Sequence, residues 1–177
     1  NTDHSGFIAA WRKARGDAVP GVVLVIGAGG VGRAIGFALA SLGAEEIRLA
    51  DTDLHRADAL ATALRAGFSG LRLHTGTDAA ALSAGAAGLV NATPVGMVGH
   101  DGTPLPPAMM RGAHWAFDAV YTPVETRFLR DAHAAGLHTI SGFELFIGQA
   151  VDAWHLFSGL PLDEARLRAD LATEGAL

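Results

Sequence analysis

Gly27, Gly29 and Gly32 stand in the spacing G-x-G-x-x-G directly behind five apolar residues, Val22, Val23, Leu24, Val25 and Ile26. Such a run can hold a diphosphate. Gly27 permits a tight turn, Gly29 lets the backbone approach a pyrophosphate with no Cβ between, and Gly32 lets the next helix pack closely on the strand. The phosphates would meet the free N–H groups and positive dipole end of that helix, whose apolar residues recur at Val31, Ile35, Leu39 and Leu42. By itself the run could be a plain strand-to-helix connection. Its continuation narrows the reading: Gly43 ends the helical run, Glu46-Ile-Arg-Leu-Ala50 is a second short strand, and Asp51 follows, nineteen residues beyond Gly32. A carboxylate there accepts hydrogen bonds from the hydroxyls of an adenosine ribose and repels a 2′-phosphate. Strand, turn, helix, strand and acid in this order imply a dinucleotide site.

Other reactive side chains are sparse. The eight histidines show no metal-ligand spacing, and no metal is expected; His133 and His138 read as surface and strand-edge residues. Neither GxSxG nor a Walker A lysine occurs, and Lys13, the single lysine, reads as exposed. Asp3 is either a helix cap or a group that holds a substrate hydroxyl while a basic partner takes its proton. Tyr121, the one tyrosine, either reaches a strand-end crevice or packs a loop. Gln149, the polar exception on an apolar helix, is either a satisfied amide or a hydrogen-bonding group facing a hydroxylated ligand. Spacing leaves each pair of readings open.

The elements that must position these residues follow from the pattern. Phe7-Ile-Ala-Ala-Trp11 has helical spacing and should end near Gly16, packed on the sheet or against a further neighbour. Helices are predicted at 55–66, 78–84 (with Asp78 as cap), 125–135, 142 onwards and 163–173, and strands at 22–26, 46–50, 71–74, 88–91, 115–118 and 137–140. Residues 98–107 read as a Gly/Pro loop. Phe143, Phe146, Ile147, Ala150, Val151, Trp154 and Phe157 form one wide apolar face. Six strands alternating with helices imply an α/β fold: a doubly wound, mainly parallel six-stranded Rossmann sheet with helices on both faces and C-terminal helices. Ligands gather at the carboxyl ends of such strands, so the stretch from Thr93 and Pro94 to Met97 should line the crevice of the glycine turn.

Half of the 177 residues are apolar and 23 are glycine, which suits one packed domain. A net charge of -5 gives no footprint for nucleic acid. The absence of cysteine excludes thiol chemistry and suits a cytoplasmic setting. No apolar run reaches the length of a membrane span and no basic-plus-apolar leader is seen, so no membrane partner is expected. The chain opens on Asn1 and not Met, and is expected to be processed or a piece of a longer polypeptide.

Five motifs in register carry a family resemblance. Asn1-Thr-Asp3, Gly27-Ala-Gly-Gly-Val-Gly32, Asn91-Ala-Thr-Pro-Val-Gly-Met97, Asp118-Ala-Val-Tyr-Thr-Pro-Val-Glu-Thr126 and Gly142-x6-Gln149 occur in the order seen in shikimate/quinate dehydrogenases. The chain resembles their C-terminal nucleotide-binding domain over nearly its whole length. That resemblance implies reversible oxidation of a ring hydroxyl of shikimate or quinate, to 3-dehydroshikimate or 3-dehydroquinate, with NAD or NADP. It makes residues 1–20 a junction helix and 142–177 the C-terminal helices, with the N-terminal substrate domain outside this chain; it also allows a homodimer. Asp3 matches the aspartate of the catalytic Lys/Asp pair and a substrate contact, while Tyr121 and Gln149 match substrate contacts only. Gly27, Ala28, Gly29, Gly30 and Val31 match the pyrophosphate turn, Asp51, Thr52, Asp53 and Arg56 the ribose segment, and Ala119 and Gly142 backbone contacts near the nicotinamide.

Two departures from the family pattern matter. The family lysine belongs to the upstream domain, so this chain alone is expected to bind cofactor without turnover. In the ribose segment NADP users typically carry Asn-Arg-Thr, whereas Asp51-Thr52-Asp53 sets two carboxylates there. NAD is therefore favoured over NADP, as in the NAD-dependent quinate/shikimate branch. A non-catalytic NAD-binding sensor of the same fold is the alternative.

Overall fold

The computed structural model describes residues 1–173. Six parallel strands, β1 (Val22–Ile26), β2 (Glu46–Ala50), β3 (Arg72–Gly76), β4 (Gly88–Asn91), β5 (Trp115–Asp118) and β6 (His138–Ile140), lie in the order β3-β2-β1-β4-β5-β6. This is the doubly wound order, which reverses between β1 and β4 and leaves a crevice at their carboxyl ends. Among the described residues there are seven helices: α1 (Thr2–Arg15), α2 (Gly30–Ser41), α3 (Leu54–Gly67), α4 (Ala79–Leu82), α5 (Arg127–Ala134), α6 (Gly142–Ser158) and α7 (Glu164–Thr173), the last packed on α6. A 3-10 turn at Pro107–Met110 begins at the last residue of the loop expected over 98–107.

Side chains alternate across the sheet with the strand period. Val23 and Val25 face α1, α2, α3 and α6 on one side, while Leu24 and Ile26 face α5 and the 3-10 turn on the other. Both faces of the inner strands β2, β1, β4 and β5 are largely buried, as a parallel sheet requires, while β3 at the edge is partly exposed.

Helix α1 begins at Thr2, earlier than expected, because the Asn1 side chain accepts hydrogen bonds from the Asp3 and His4 amides and caps it. Asp3 therefore lies in the first turn and is not the cap. Two aromatic pairs pin α1 to the sheet: Phe7 on Phe117 with ring centres 4.9 Å apart, and Trp11 on Trp115 at 4.7 Å, both edge to face. The indole N–H groups of Trp11 and Trp115 donate to the carbonyls of Ala18 and Pro20, so the turn into β1 is fastened to the same pair.

Helix α6 lies antiparallel on α1. Its Glu144 binds Lys13 of α1 at 2.8 Å and Arg168 of α7 at 2.6 Å, holding three helices together. The wide apolar face expected on α6 is only half used. Phe143 and Ile147 are buried, but Trp154 is 47 % and Phe157 87 % exposed. The physical reason is length: α1 begins opposite residues 149–152, so the last two turns of α6 run past it. No helix among the described residues is long and apolar enough to cross a membrane.

Candidate functional site

The glycine turn departs from β1 at Gly27, whose φ of +98° is left-handed and suits glycine. Gly32, one turn into α2, sits so close that a Cβ would lie 1.9 Å from the Gly27 carbonyl oxygen. Turn and helix are thus locked by the absence of side chains. Gly29 caps α2 without any side-chain hydrogen bond, and a Cβ on Gly29 or Gly30 would point into open space. The first amides of α2 therefore face a clear approach suited to an anion.

Asp51, at the end of β2, closes this unit. Its Oδ2 accepts the Ala28 N–H at 2.7 Å and its Oδ1 the Asp53 N–H at 2.9 Å. Burial would raise its pKa, but the Ala28 and Asp53 amides, with Arg56 and the Thr52 hydroxyl, outweigh it and hold the carboxyl below the usual aspartate value. It is ionised at neutral pH.

Two clefts lie over the strand ends and share Ala92, Thr93 and Pro94 as a ridge. The first, about 380 Å³, is lined by Gly27, Gly29, Asp51, Thr52 and Arg56 among others. The second, about 350 Å³, is lined by Gly30, Val31, Ala119, Val120 and Tyr121 beyond that ridge. Together they form a trough along the strand ends that passes the start of α2. Thr77 and Pro104 also line the first cleft and were not expected. Thr77 follows β3 directly, so the strand-end rule reaches it; Pro104 arrives by loop geometry and carries no sequence signal.

A buried polar network supports the second cleft. Register sets Asn91 of β4 opposite Asp118 of β5, and the Asn91 amide donates to Asp118 Oδ1 at 2.9 Å. The same oxygen accepts the Val120 N–H at 3.0 Å, and Oδ2 accepts the Thr126 hydroxyl at 2.5 Å. Asn91 also accepts from the N–H and hydroxyl of Thr93, at 3.0 and 2.7 Å. Burial pushes the Asp118 carboxyl up to about 6 against the pull of these donors. Asn91 and Asp118 were quoted within motifs but not singled out, because only strand register reveals that they touch.

Asp3 and Gln149, far apart in sequence, meet directly: the Gln149 amide donates to Asp3 Oδ1. Ser5 donates likewise to Asp152. The approach is set by two glycines, since a Cβ on Gly148 would stand 2.8 Å from the Gly6 Cα. Tyr121 is half exposed and stacks on Phe146 of α6 with ring centres 5.2 Å apart, so it borders the second cleft and does more than pack a loop. Gln149 lies one turn further along α6.

Two expected residues have other employment. Asp53 caps α3 by accepting the His55 N–H at 3.0 Å and pairs with Arg56 at 3.5 Å, while the side of the first cleft is made by Asp51, Thr52 and Arg56. Gly142 opens α6 beneath the Val120 and Ala119 carbonyls, 2.5 and 2.6 Å from where its Cβ would be, and does not line either cleft. No group of three or more His, Asp or Glu that could hold a metal occurs among the described residues.

No family model matches the chain. Individual relatives do. It is 42 % identical over 172 residues to a quinate/shikimate dehydrogenase (NAD(+)) of Corynebacterium efficiens, covering 96 % of this chain and 60 % of that protein. It is 41 % identical to a shikimate dehydrogenase (NADP(+)) of an Arthrobacter species, over 96 % of this chain and 58 % of that one. Among solved structures, quinate dehydrogenase from Corynebacterium glutamicum in complex with NAD superposes with a TM-score of 0.89 at 38 % identity, over 98 % of this chain and 62 % of that one. In sequence and fold the chain is similar to quinate and shikimate dehydrogenases, and it spans about three fifths of the length of these relatives.

Proposed function

We propose that the chain is the nucleotide-binding part of an NAD-dependent dehydrogenase that reversibly oxidises a ring hydroxyl of quinate or shikimate. One observation carries the reading: the trough runs from an ionised Asp51, over the uncapped start of α2, to Tyr121. Gly27, Ala28 and Gly29 would form the turn around the diphosphate, Gly30 and Val31 would receive it on the first α2 amides, and Asp51 would receive the adenosine ribose hydroxyls. Thr93, Pro94 and Ala119 would flank the nicotinamide, and Gly142 acts only by letting α6 come close beneath Ala119. When bound, the dinucleotide supplies the hydride acceptor.

The chain's own residues would orient the substrate and its proton. Gln149 holds one oxygen of Asp3, which leaves the other free for a basic partner and a substrate hydroxyl. Tyr121 and Gln149 would border the ring. In the family that partner is a lysine. Lys13, the single lysine here, is engaged by Glu144, so the base is proposed to come from outside these residues.

NAD is the preferred cofactor in this reading. A 2′-phosphate at Asp51 would meet an ionised carboxylate, and Arg56, which lines the same cleft, already pairs with Asp53. Calorimetric titration of the chain with NADH and NADPH tests both steps. NADH binding at least about tenfold tighter than NADPH is expected, since one unfavourable charge contact outweighs a tenfold ratio. Binding of neither sinks the nucleotide reading; equal binding sinks the preference alone.

A further inference from the structure

Two carboxylates stand at strand ends, Asp51 lining the trough and Asp118 buried beneath it, and they serve different parts of it. Asp51 joins β2 to the glycine turn and faces the first cleft. Asp118, fully buried at the tip of β5, holds nothing of that turn. Its partners are neutral: the Asn91 amide, the Val120 N–H and the Thr126 hydroxyl. Through Val120 it fixes the path of the backbone that carries Ala119 and Tyr121. Through Asn91, which binds Thr93 twice and the Val95 carbonyl at 3.0 Å, it fixes the ridge between the clefts. Through Thr126, whose hydroxyl also caps α5 by accepting the Leu129 N–H at 3.2 Å, it anchors the far end of the 119–126 loop. A buried carboxylate among neutral donors is costly to keep, so its place at this junction calls for a role that a plain apolar contact would not serve.

We propose that Asp118 is the positioning residue of the second cleft, setting the course of the 119–122 wall that lines that cleft and not the first. The proposal rests on the dinucleotide reading above and assigns the ring-binding end of the trough to Asp118. Asp118 does not touch the ligand; it acts through Val120, Asn91 and Thr126.

The test compares two ligands on the intact chain. NADH fills both clefts, whereas ADP-ribose lacks the nicotinamide ring. Calorimetry gives both affinities, and the fluorescence of bound NADH reports the surroundings of the ring. For Asp118→Ala, which removes three hydrogen bonds to a charged acceptor, NADH should bind about tenfold more weakly or worse, with altered emission, while ADP-ribose stays within about twofold. Asp118→Asn keeps the acceptor toward Asn91 and Val120, so it should fall between wild type and Asp118→Ala, and it carries the test should Asp118→Ala fail to fold. Equal weakening of both ligands, or no weakening of either, overturns the proposal. A wild-type chain that binds neither ligand overturns the dinucleotide reading and this proposal with it.

Discussion

The carboxylate of Asp51 accepts the Ala28 amide at 2.7 Å, so the acid at the end of β2 and the glycine turn after β1 are one hydrogen-bonded unit before any ligand arrives. Preorganisation of this kind spares the site the cost of ordering its turn on binding. Replacing Asp51 with Ala strands the Ala28 and Asp53 amides and removes the ribose acceptor. Stability should fall by about 1–3 kcal/mol and NADH affinity by at least about tenfold. Asp51→Asn, which keeps one acceptor oxygen, should recover part of both. Urea unfolding and calorimetry on the same samples check this, and unchanged NADH affinity in Asp51→Ala would refute the ribose role.

Gly32 and Gly36 lie one turn apart on α2 and should respond in opposite ways to alanine. At Gly32 the new Cβ would be 1.9 Å from a backbone oxygen, and no side-chain movement relieves it. Loss of about 3 kcal/mol or more is expected, with loss of NADH binding, because turn and helix must separate. At Gly36 the nearest atom to the new Cβ is the Leu64 Cδ1 at 3.5 Å, an ordinary contact. There alanine should be neutral or stabilising by up to about 1 kcal/mol through its helix propensity. Urea midpoints decide, and a tolerated Gly32→Ala would contradict the packing described for the turn.

Much of this was legible in the chain because strands and helices bury different periods of the sequence. Val22–Ile26, Gly88–Asn91 and Trp115–Asp118 occur where alternation and apolar runs put them. The start of α1 was not, since Asn1 caps from the first residue and the polar run after it has no apolar period. Nor was the uncovered end of α6, because an apolar stripe states that a face wants burial and not how far its partner extends. The Asn91, Asp118 and Thr126 network is non-local: it needs the register of β4 on β5 and the return of the loop into α5. The contact of Asp3 with Gln149 depends on two glycines 142 positions apart in sequence, Gly6 and Gly148, which no local pattern couples.

Asp118 gives the protein an unusual response to pH. Its folded-state value is raised to about 6 from an ordinary 3.8, so between those values the folded chain holds a proton that the unfolded chain has released. Stability therefore rises as pH falls through this window, by an amount on the order of 3 kcal/mol for this group. Asp51, Glu46 and Glu144 act in the opposite sense, since their folded values are lowered. Their contribution is intact above the ordinary carboxylate range and is lost only as pH falls below it. Urea unfolding at pH 5, 6 and 7 should show the wild type most stable at pH 5, and Asp118→Asn should flatten the trend. Equal slopes for the two proteins would show that burial of Asp118 does not govern it.

Gly148 sets the distance at which α6 meets α1, and with it the pairing of Asp3 with Gln149. A Cβ there would press on the Gly6 Cα at 2.8 Å, a backbone atom that can yield only if the helices part. The opposite end of the pair is held by Glu144 with Lys13 and Arg168, so Gly148→Ala should open α1 from α6 at the Asp3 end and leave the α7 end closed. Overpacking of this kind costs about 1–3 kcal/mol, which urea unfolding would register. The trough lies at the strand ends and is lined by neither helix α1 nor residue 148, so NADH affinity should stay within about twofold of wild type. In the complete dehydrogenase proposed above, the same change should lower kcat for quinate or shikimate much more than it alters cofactor binding, because Asp3 loses the amide that orients it. Matching losses of cofactor affinity and turnover would mean that α1 and α6 support the trough itself, and that the Asp3 and Gln149 contact has no separate part in the reaction.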